Sequence, residues 1–319
     1  ELAGEISEGC EGIIVMDKTP FYAEMGGQLA DKGEIGFSLE DVEHGQLTKF
    51  IVNNVKKDKG NKYLHYGVCE SGAISVGEEV VASVDSERRR AISRAHSATH
   101  LLHAALRKIL GDHVHQAGSL VDADTLRFDF THFEAMTPKE VAAVEDAVNN
   151  AVLDGVDITV CEMSLEDAKN SGATALFGEK YGDFVRVVTM GDDEKTVSME
   201  LCGGTHLDNT AKVGMFHITS EYSVASGVRR IEAVTGRKYL EMAKHSYMTV
   251  ARAAESLKAK PSELLTKAEG FVSEVKNLRQ KVEKMKDKIL ASDVERFLFA
   301  AKKIGDFDVL TATRTDLDA

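Results

Sequence analysis

The stretch "RAHSATHLLHAAL", residues 94–106, places three histidines in a largely apolar segment. His96 and His100 are four residues apart, just over one helical turn, so in a helix they share a face and can bind one metal ion. The surrounding pattern predicts such a helix, ending at Gly111 after two basic residues that suit the dipole of a helix C-terminus. Histidines that pack inside a core show the same spacing, so a metal site requires further ligands elsewhere in the chain.

A second pair of candidate ligands lies in "SMELCGGTHLDNT", residues 198–210. Cys202 and His206 flank two glycines, which allow the backbone to turn tightly enough to bring a thiolate and an imidazole to one point. The two pairs together supply three imidazoles and one thiolate, a donor set suited to tetrahedral zinc. The sequence therefore predicts one Zn²⁺ per chain, bound by His96, His100, Cys202 and His206.

The residues next to these ligands and the spacing between the two pairs limit which kinds of zinc site are possible. A zinc peptidase needs a glutamate base directly after the first histidine, and this chain has Ser97 there. About a hundred residues separate the two pairs, unlike the short spacing of a zinc finger. Hydrolysis by a zinc-polarised water or carbonyl, positioning of a substrate by zinc, and a purely structural zinc remain open. His103 is interpreted as an outer or packing residue, not a ligand.

The composition of the 319 residues is that of a soluble globular protein, with 43% apolar and 29% charged residues. No apolar run approaches the roughly 18–20 residues that span a membrane, and the four scattered cysteines fit a reducing cytoplasm. A net charge of −13 disfavours indiscriminate nucleic-acid binding but permits local basic patches. The candidates for such patches are Arg88, Arg89, Arg90, Arg94, Arg229, Arg230, Arg237 and Lys238.

The order of motifs predicts an α+β chain. Residues 1–85 are β-rich and are expected to form a small barrel-like subdomain with a glycine-rich loop. Residues 86–236 mix helices with strands and are expected to form an α/β core with a mixed sheet. Residues 237–303 are predicted to be helical, and residues 304–319 to begin a further globular module. Because the chain opens without Met and stops within a strand-like run, we expect a fragment of a longer protein.

The second long helix of the helical region carries a heptad pattern. Its apolar residues alternate between spacings of four and three over more than three heptads, which predicts a coiled coil. They are Leu264, Ala268, Phe271, Val275, Leu278, Val282, Met285 and Ile289. The pattern leaves open whether the helix pairs with its predecessor as a helical hairpin or with another chain.

Polar residues near two further motifs are candidates for contact with a ligand. "KTPFYAEMGGQLADKG" places Thr19 and Gln28 on either side of the Gly26-Gly27 pair, which suits either a simple turn or a ligand-facing loop. "HVHQAGSLV" supplies Gln116 shortly after the histidine helix.

Seven segments in this order resemble the editing domain of the bacterial-type alanyl-tRNA synthetase family, over roughly residues 15–236. They are "TPFYAEMGGQLAD", "HSATHLLHAAL", "HQAGSL", "RFDF", "GEKYGDFVRVV", "ELCGGTH" and "GVRRIEAVTG". Met25 stands where the family often has a small residue. The heptad helix and "GDFDVL" resemble the start of the family's C-terminal dimerisation region. The family's aminoacylation domain, where we expect ATP to act, is not among these residues.

The resemblance implies hydrolysis of mischarged Ser-tRNA(Ala) and Gly-tRNA(Ala). A hydroxyl or a methyl group changes binding by only about 1–3 kcal/mol, too little for accurate translation, so a second site removes the wrong amino acid. By motif, Gln116 is expected to orient water or substrate, Thr19 to recognise the seryl hydroxyl, and the arginines at 88–94 and 229–230 to contact the acceptor end of tRNA(Ala). The alternatives are a tRNA-binding and dimerisation module with a structural zinc, and a free-standing editing protein of the same superfamily.

Overall fold

The computed structural model describes residues 3–37, 48–174, 182–192 and 195–311, without the side chain of Leu298. The chain divides into two compact units, Glu1–Met242 and Ala243–Ala319. Residues 178–181 of the motif "GEKYGDFVRVV" and residues 312–319 of the predicted C-terminal module lie outside the described residues.

The described residues form helices and antiparallel sheets, which confirms the α+β class. The mixed sheet predicted for residues 86–236 is wrong for the described strands, because all pairings between these strands are antiparallel. The helices are α1 Ser86–Leu110, α2 Pro138–Asp154, α3 Leu165–Asn170, α4 Gly236–Ser256 and α5 Leu264–Phe299, with 3₁₀ turns at Thr210–Val213 and Pro261–Glu263. The strands are β1 Glu5–Ser7, β2 Glu11–Ile14, β3 Gly33–Gly36, β4 Lys49–Lys57, β5 Tyr63–Ser71, β6 Ala73–Ser75, β7 Val81–Val84, β8 Gln116–Val121, β9 Leu126–Thr131, β10 Ile158–Ser164, β11 Phe184–Gly191, β12 Thr196–Leu201, β13 Phe216–Ala225, β14 Val228–Thr235, β15 Lys302–Ile304 and β16 Phe307–Val309.

The N-terminal strands build an open sheet in the order β2-β5-β4-β3-β7, beside the separate β1-β6 pair. The sheet covers a small core that includes Phe21, Ile35 and Phe50. Among the described strands the two edges, β2 and β7, do not pair with each other, so the predicted barrel is not closed. Apolar alternation indicates strands, but closure depends on pairing between the first and last strands, which the pattern does not encode.

The larger core of the first unit lies beneath α1. Sheet β13-β14-β9-β8 and sheet β10-β11-β12 supply its strands, and α1 and α2 supply its helices. Leu101 and Leu102 of α1 share this core with Phe128 and Phe130 of β9. The apolar face of α1 is thereby held in place, and the histidines on the same helix are held with it.

The ends of α1 and α2 show why these helices form where they do. Asp85 caps α1 by accepting hydrogen bonds from the backbone N–H groups of Glu87 and Arg88. Thr137 and Glu140 form a capping box at the start of α2, next to a proline in its first turn. The capping box and the end of α1 at Gly111 confirm what the sequence predicts.

Leu102 of α1 packs in the larger core of the first unit. We expect Leu102→Ala to lower the free energy of unfolding by about 2–5 kcal/mol, because Leu102 is fully buried and truncation leaves a cavity. Leu240→Ala on α4 is the matched control, since Leu240 is 63% exposed and its loss should change stability by less than about 0.5 kcal/mol. Denaturant unfolding measures both; equal losses of stability would contradict the described core.

In the second unit, six of the eight heptad residues of α5, those from Phe271 to Ile289, are exposed. Phe271 is 41% exposed and Met285 61% exposed, so the described residues of this chain do not cover the stripe. Neither the helical hairpin nor the coiled coil is confirmed, because a heptad pattern marks a face that needs a partner without naming the partner. The short β15-β16 hairpin follows. In the part of the chain that the structure describes, no helix has the length and apolarity to cross a bilayer.

Candidate metal centre

The four predicted metal ligands come together where α1 meets the turn after β12. His96 and His100 lie on one face of α1, each 7% exposed, with ring centroids 5.4 Å apart. The turn that follows Leu201 brings Cys202 and His206 back against this face. One potential ligand atom from each of the four side chains lies within 4.8 Å of all the others. This spacing allows all four to bind a single ion.

Cys202 lies at the centre of the group. Its Sγ is 3.4 Å from His96 Nε2 and 3.2 Å from His206 Nε2, and it accepts a hydrogen bond from the backbone N–H of Gly204. Burial alone would raise the pKa of this thiol, but the neighbouring histidines outweigh burial and hold the pKa well below its ordinary value. Cys202 is therefore ready to act as a thiolate, the form that binds metals.

The orientation of His96 is fixed by Gln28 from the glycine-rich loop. Gln28 Oε1 accepts a hydrogen bond from the backbone N–H of Thr205 at 2.9 Å, which identifies it as the amide oxygen. The same oxygen lies 2.7 Å from His96 Nδ1, so Nδ1 carries the proton and donates it. The lone pair of His96 is therefore on Nε2, the nitrogen that faces Cys202.

Ser97 contacts the fourth ligand. Its hydroxyl lies 3.3 Å from His206 Nδ1 and accepts a hydrogen bond from the backbone N–H of Leu207. Burial is the largest cause that lowers the pKa of His206, to about 3, so this imidazole is neutral at physiological pH. Ser97 stands where a zinc peptidase has its glutamate base. In this chain Ser97 instead contacts His206, one of the four candidate metal ligands.

Glu200 is a buried residue of the site that sequence reasoning missed. Its carboxylate lies 2.6 Å from His100 Nδ1 and 2.8 Å from His103 Nδ1. Burial opposes ionisation of this carboxyl, but the two imidazoles outweigh it and lower the pKa of Glu200. The available signal was strand alternation, because residues two apart on β12 and its extension point to the same side and Glu200 precedes Cys202 by two.

The unpartnered nitrogen of His100 and the donor set of the group are both compatible with zinc. His100 Nε2 is buried and has no hydrogen-bond partner among the described residues, although buried polar atoms are normally satisfied. A metal ion bound by the four side chains would satisfy it. Three imidazole nitrogens and one thiolate are a donor set that zinc prefers.

A cavity of about 580 Å³ opens next to three of these ligands, His96, His100 and Cys202. Gln116 lies on its wall, and its side-chain amide donates to Ser119 Oγ at 3.2 Å. The predicted Gln116 is thus beside the candidate metal centre. Thr19 does not line this cavity: its hydroxyl is 2.8 Å from His65 Nε2 and accepts from the backbone N–H of Phe21.

The glycine-rich loop borders the same cavity through Tyr22, Met25 and Gly26. Gly27 has φ +80°, and a Cβ at this position would lie 2.3 Å from the carbonyl oxygen of Ser119. Only glycine allows the loop to approach β8 this closely. The approach brings Gln28 to His96.

The chain is similar to known proteins over its whole length. Residues 1–88 match the family of class II (A) tRNA synthetases, and residues 185–232, which include Cys202 and His206, match the second additional domain of threonyl and alanyl tRNA synthetases. The alanine–tRNA ligase of Acetivibrio thermocellus is 45% identical over 318 residues, which cover 100% of this chain and 35% of that protein. This chain belongs to the alanine–tRNA ligase family.

Other alanine–tRNA ligases are similarly related. The protein of Clostridioides difficile is 45% identical over 98% of this chain, and that of Saccharophagus degradans is 46% identical over 98%. The chain spans about a third of the length of these relatives. The family resemblance predicted from the sequence is confirmed.

The six arginines predicted to contact tRNA fall into two groups of three. Three of them are engaged with carboxylates: Arg89 with Asp31, Arg229 with Glu221, and Arg230 with Asp129. Arg88, Arg90 and Arg94 line a polar groove of about 420 Å³, which Arg237 and Lys238 also border.

Proposed function

We propose that this chain hydrolyses mischarged Ser-tRNA(Ala) and Gly-tRNA(Ala), as the editing segment of an alanine–tRNA ligase. The observation that carries the proposal is the buried His96, His100, Cys202 and His206 group at the edge of a cavity, in a chain related to alanine–tRNA ligases along its whole length. A synthetase that must reject serine and glycine gains accuracy from a second, hydrolytic site, because binding alone discriminates too weakly.

In this proposal the four side chains hold one Zn²⁺, which supplies Lewis acidity beside the cavity when bound. The amide of Gln116 orients water or the ester by hydrogen bonding from the cavity wall. Thr19 is proposed to recognise the seryl hydroxyl. Because its hydroxyl is hydrogen-bonded to His65 and it does not line the cavity, this role requires Thr19 both to leave His65 and to come within reach of the substrate.

The acceptor end of tRNA(Ala) is the proposed partner. Of the predicted basic residues, Arg88, Arg90 and Arg94 border an open groove, whereas Arg89, Arg229 and Arg230 would first have to leave carboxylate partners. The first three are therefore the stronger candidates for contact with phosphates. A homodimer through the heptad stripe of α5 is also proposed, because that apolar stripe is exposed. We place the protein in the cytoplasm.

A tRNA-binding and dimerisation module with a structural zinc is the second candidate. One observation favours it: the chain offers four protein ligands, the full complement of a structural site, whereas catalytic zinc usually keeps one position open.

The assay that separates the two candidates follows the release of serine from Ser-tRNA(Ala), with and without a chelator. Editing predicts release that falls when the metal is removed, with little release of alanine from Ala-tRNA(Ala). A structural zinc predicts metal-dependent folding and tRNA binding without release of serine.

We expect Gln116→Ala to slow serine release by roughly 10²-fold while the metal content is unchanged, because it removes an oriented hydrogen-bond donor from the cavity wall. The control is Gln280→Ala, which alters an exposed glutamine of α5 outside the cavity. Single-turnover deacylation measures both variants. Equal rates for wild type and Gln116→Ala would exclude Gln116 from the reaction.

A further inference from the structure

Glu200 occupies an unusual place beside the candidate metal centre. It lies near the end of β12, is only 6% exposed and borders the cavity. Burying a carboxylate is unfavourable unless charged or hydrogen-bonding partners compensate, so its location calls for such partners.

The partners of Glu200 are two imidazoles on one face of α1. Oε2 lies 2.6 Å from His100 Nδ1, and Oε1 lies 2.8 Å from His103 Nδ1. A carboxylate only accepts hydrogen bonds, so each Nδ1 is the donor and a neutral ring carries its lone pair on Nε2. For His100 this is the buried nitrogen that lacks a hydrogen-bond partner.

The other two histidine ligands contact uncharged groups. His96 donates to the amide oxygen of Gln28, and His206 contacts the hydroxyl of Ser97. Among the described contacts to Nδ1 of these three ligands, the one to Glu200 is the contact that brings a carboxylate. The site is therefore asymmetric, with a negative charge directly behind His100.

We propose that Glu200 is a positioning residue that aims His100 Nε2 at the bound metal and strengthens its donation, while His103 holds the second carboxylate oxygen in place. The inference rests on the proposed metal centre and adds Glu200 and His103 to it. A carboxylate behind a ligating imidazole raises the basicity of that ligand and fixes its tautomer, and loss of such a partner typically costs about 10- to 100-fold in metal affinity. His103 contributes through Glu200 and does not itself bind the metal.

The test measures metal affinity without tRNA, by competition between the purified chain and a chromophoric chelator. We expect Glu200→Gln to weaken Zn²⁺ binding about 10- to 100-fold, because an amide oxygen is a weaker, uncharged acceptor. His103→Leu should weaken binding roughly 2- to 10-fold, since it removes one hydrogen bond that holds the carboxylate. The matched control is Glu232→Gln on β14, whose carboxylate accepts from Ser220 and Tyr222 away from the metal ligands and whose loss should leave the affinity unchanged.

A second readout uses Co²⁺ in place of Zn²⁺. In Glu200→Gln we expect the thiolate-to-cobalt absorption to persist, because Cys202 is intact, while the ligand-field bands shift as His100 is held less firmly. A variant that is merely less stable overall would lose affinity without a change in the bands of its metal-bound fraction.

Unchanged affinity and unchanged cobalt bands in both Glu200→Gln and His103→Leu would overturn the proposal. If Glu200→Gln does not fold, as judged by circular dichroism, His103→Leu decides alone by the same two measurements. The proposed function and the proposed role of Glu200 can fail independently. If no serine is released but the metal affinities change as expected, editing is excluded and Glu200 remains a positioning residue.

Discussion

Cys202→Ala should leave the chain with little bound metal and should slow deacylation of Ser-tRNA(Ala) by roughly 10³-fold. The substitution removes the one thiolate of the predicted ligand set and leaves three imidazoles. It also takes the hydrogen-bond acceptor from the backbone N–H of Gly204, which helps shape the turn that carries His206. Loss of a Lewis acid that contributes several kcal/mol to a transition state corresponds to a rate effect of roughly this size.

The measurements are zinc content by elemental analysis, thiolate-to-cobalt absorption and single-turnover deacylation. Cys161→Ala is the matched control, because Cys161 is an exposed cysteine on β10 and its removal should change none of the three. One zinc per chain and full activity in Cys202→Ala would rule out a mechanism centred on this metal site.

His100→Ala should also lower the bound metal and slow the deacylation of Ser-tRNA(Ala). The substitution removes a ligand on α1 and leaves the buried carboxylate of Glu200 with His103 as its remaining imidazole partner. A buried charge with fewer partners is destabilising, so His100→Ala should also lower thermal stability even in the presence of a chelator. Cys202→Ala keeps both imidazole partners of Glu200, so its metal-independent loss, from the Gly204 N–H alone, should be smaller. The comparison separates loss of metal from loss of the partner of Glu200.

The metal ligands could be found from the sequence because each pair is local. His96 and His100 are related by the helical repeat, and Cys202 and His206 lie on one glycine turn, so their chemistry is visible within a few residues. What brings the two pairs together is the packing of α1 against β12, and their complementary donor types pointed to that contact.

The partners of these ligands could not be found in the same way. Gln28 meets His96 from a loop 68 residues earlier in the chain, and Glu200 meets His100 across 100 residues. Strand alternation indicates only that Glu200 lies on the same side as Cys202. Which histidine each partner meets depends on how sheets and helices pack. Thr19 shows that a motif can also predict too much. Its position in the glycine-rich motif suggests contact with a ligand, but its hydroxyl is hydrogen-bonded to His65 on β5.

Gly204→Ala is expected to disrupt the metal centre almost as strongly as loss of a ligand. A Cβ on Gly204 would lie 2.0 Å from His96 Cε1, 2.4 Å from His96 Nδ1 and 2.8 Å from Gln28 Oε1. His96 cannot simply swing away, because Gln28 holds its Nδ1 and α1 holds its backbone. Either the ring of His96 leaves its position as a ligand, or the turn after β12 moves and carries His206 with it.

Gly203, the preceding residue, provides the matched control for Gly204. At Gly203 a Cβ would meet only the end of the Met25 side chain, at 3.8 Å, and the backbone has no positive φ, so Gly203→Ala should keep the wild-type metal content and stability. For Gly204→Ala we expect a loss of about 1–3 kcal/mol in the free energy of unfolding and a fall in metal affinity of roughly 100-fold. Thermal melting with and without zinc, and chelator competition, measure both variants. Equal metal affinity in the two variants would show that the turn does not press against His96, and the assignment of His96 as a ligand held by Gln28 would then have to be abandoned.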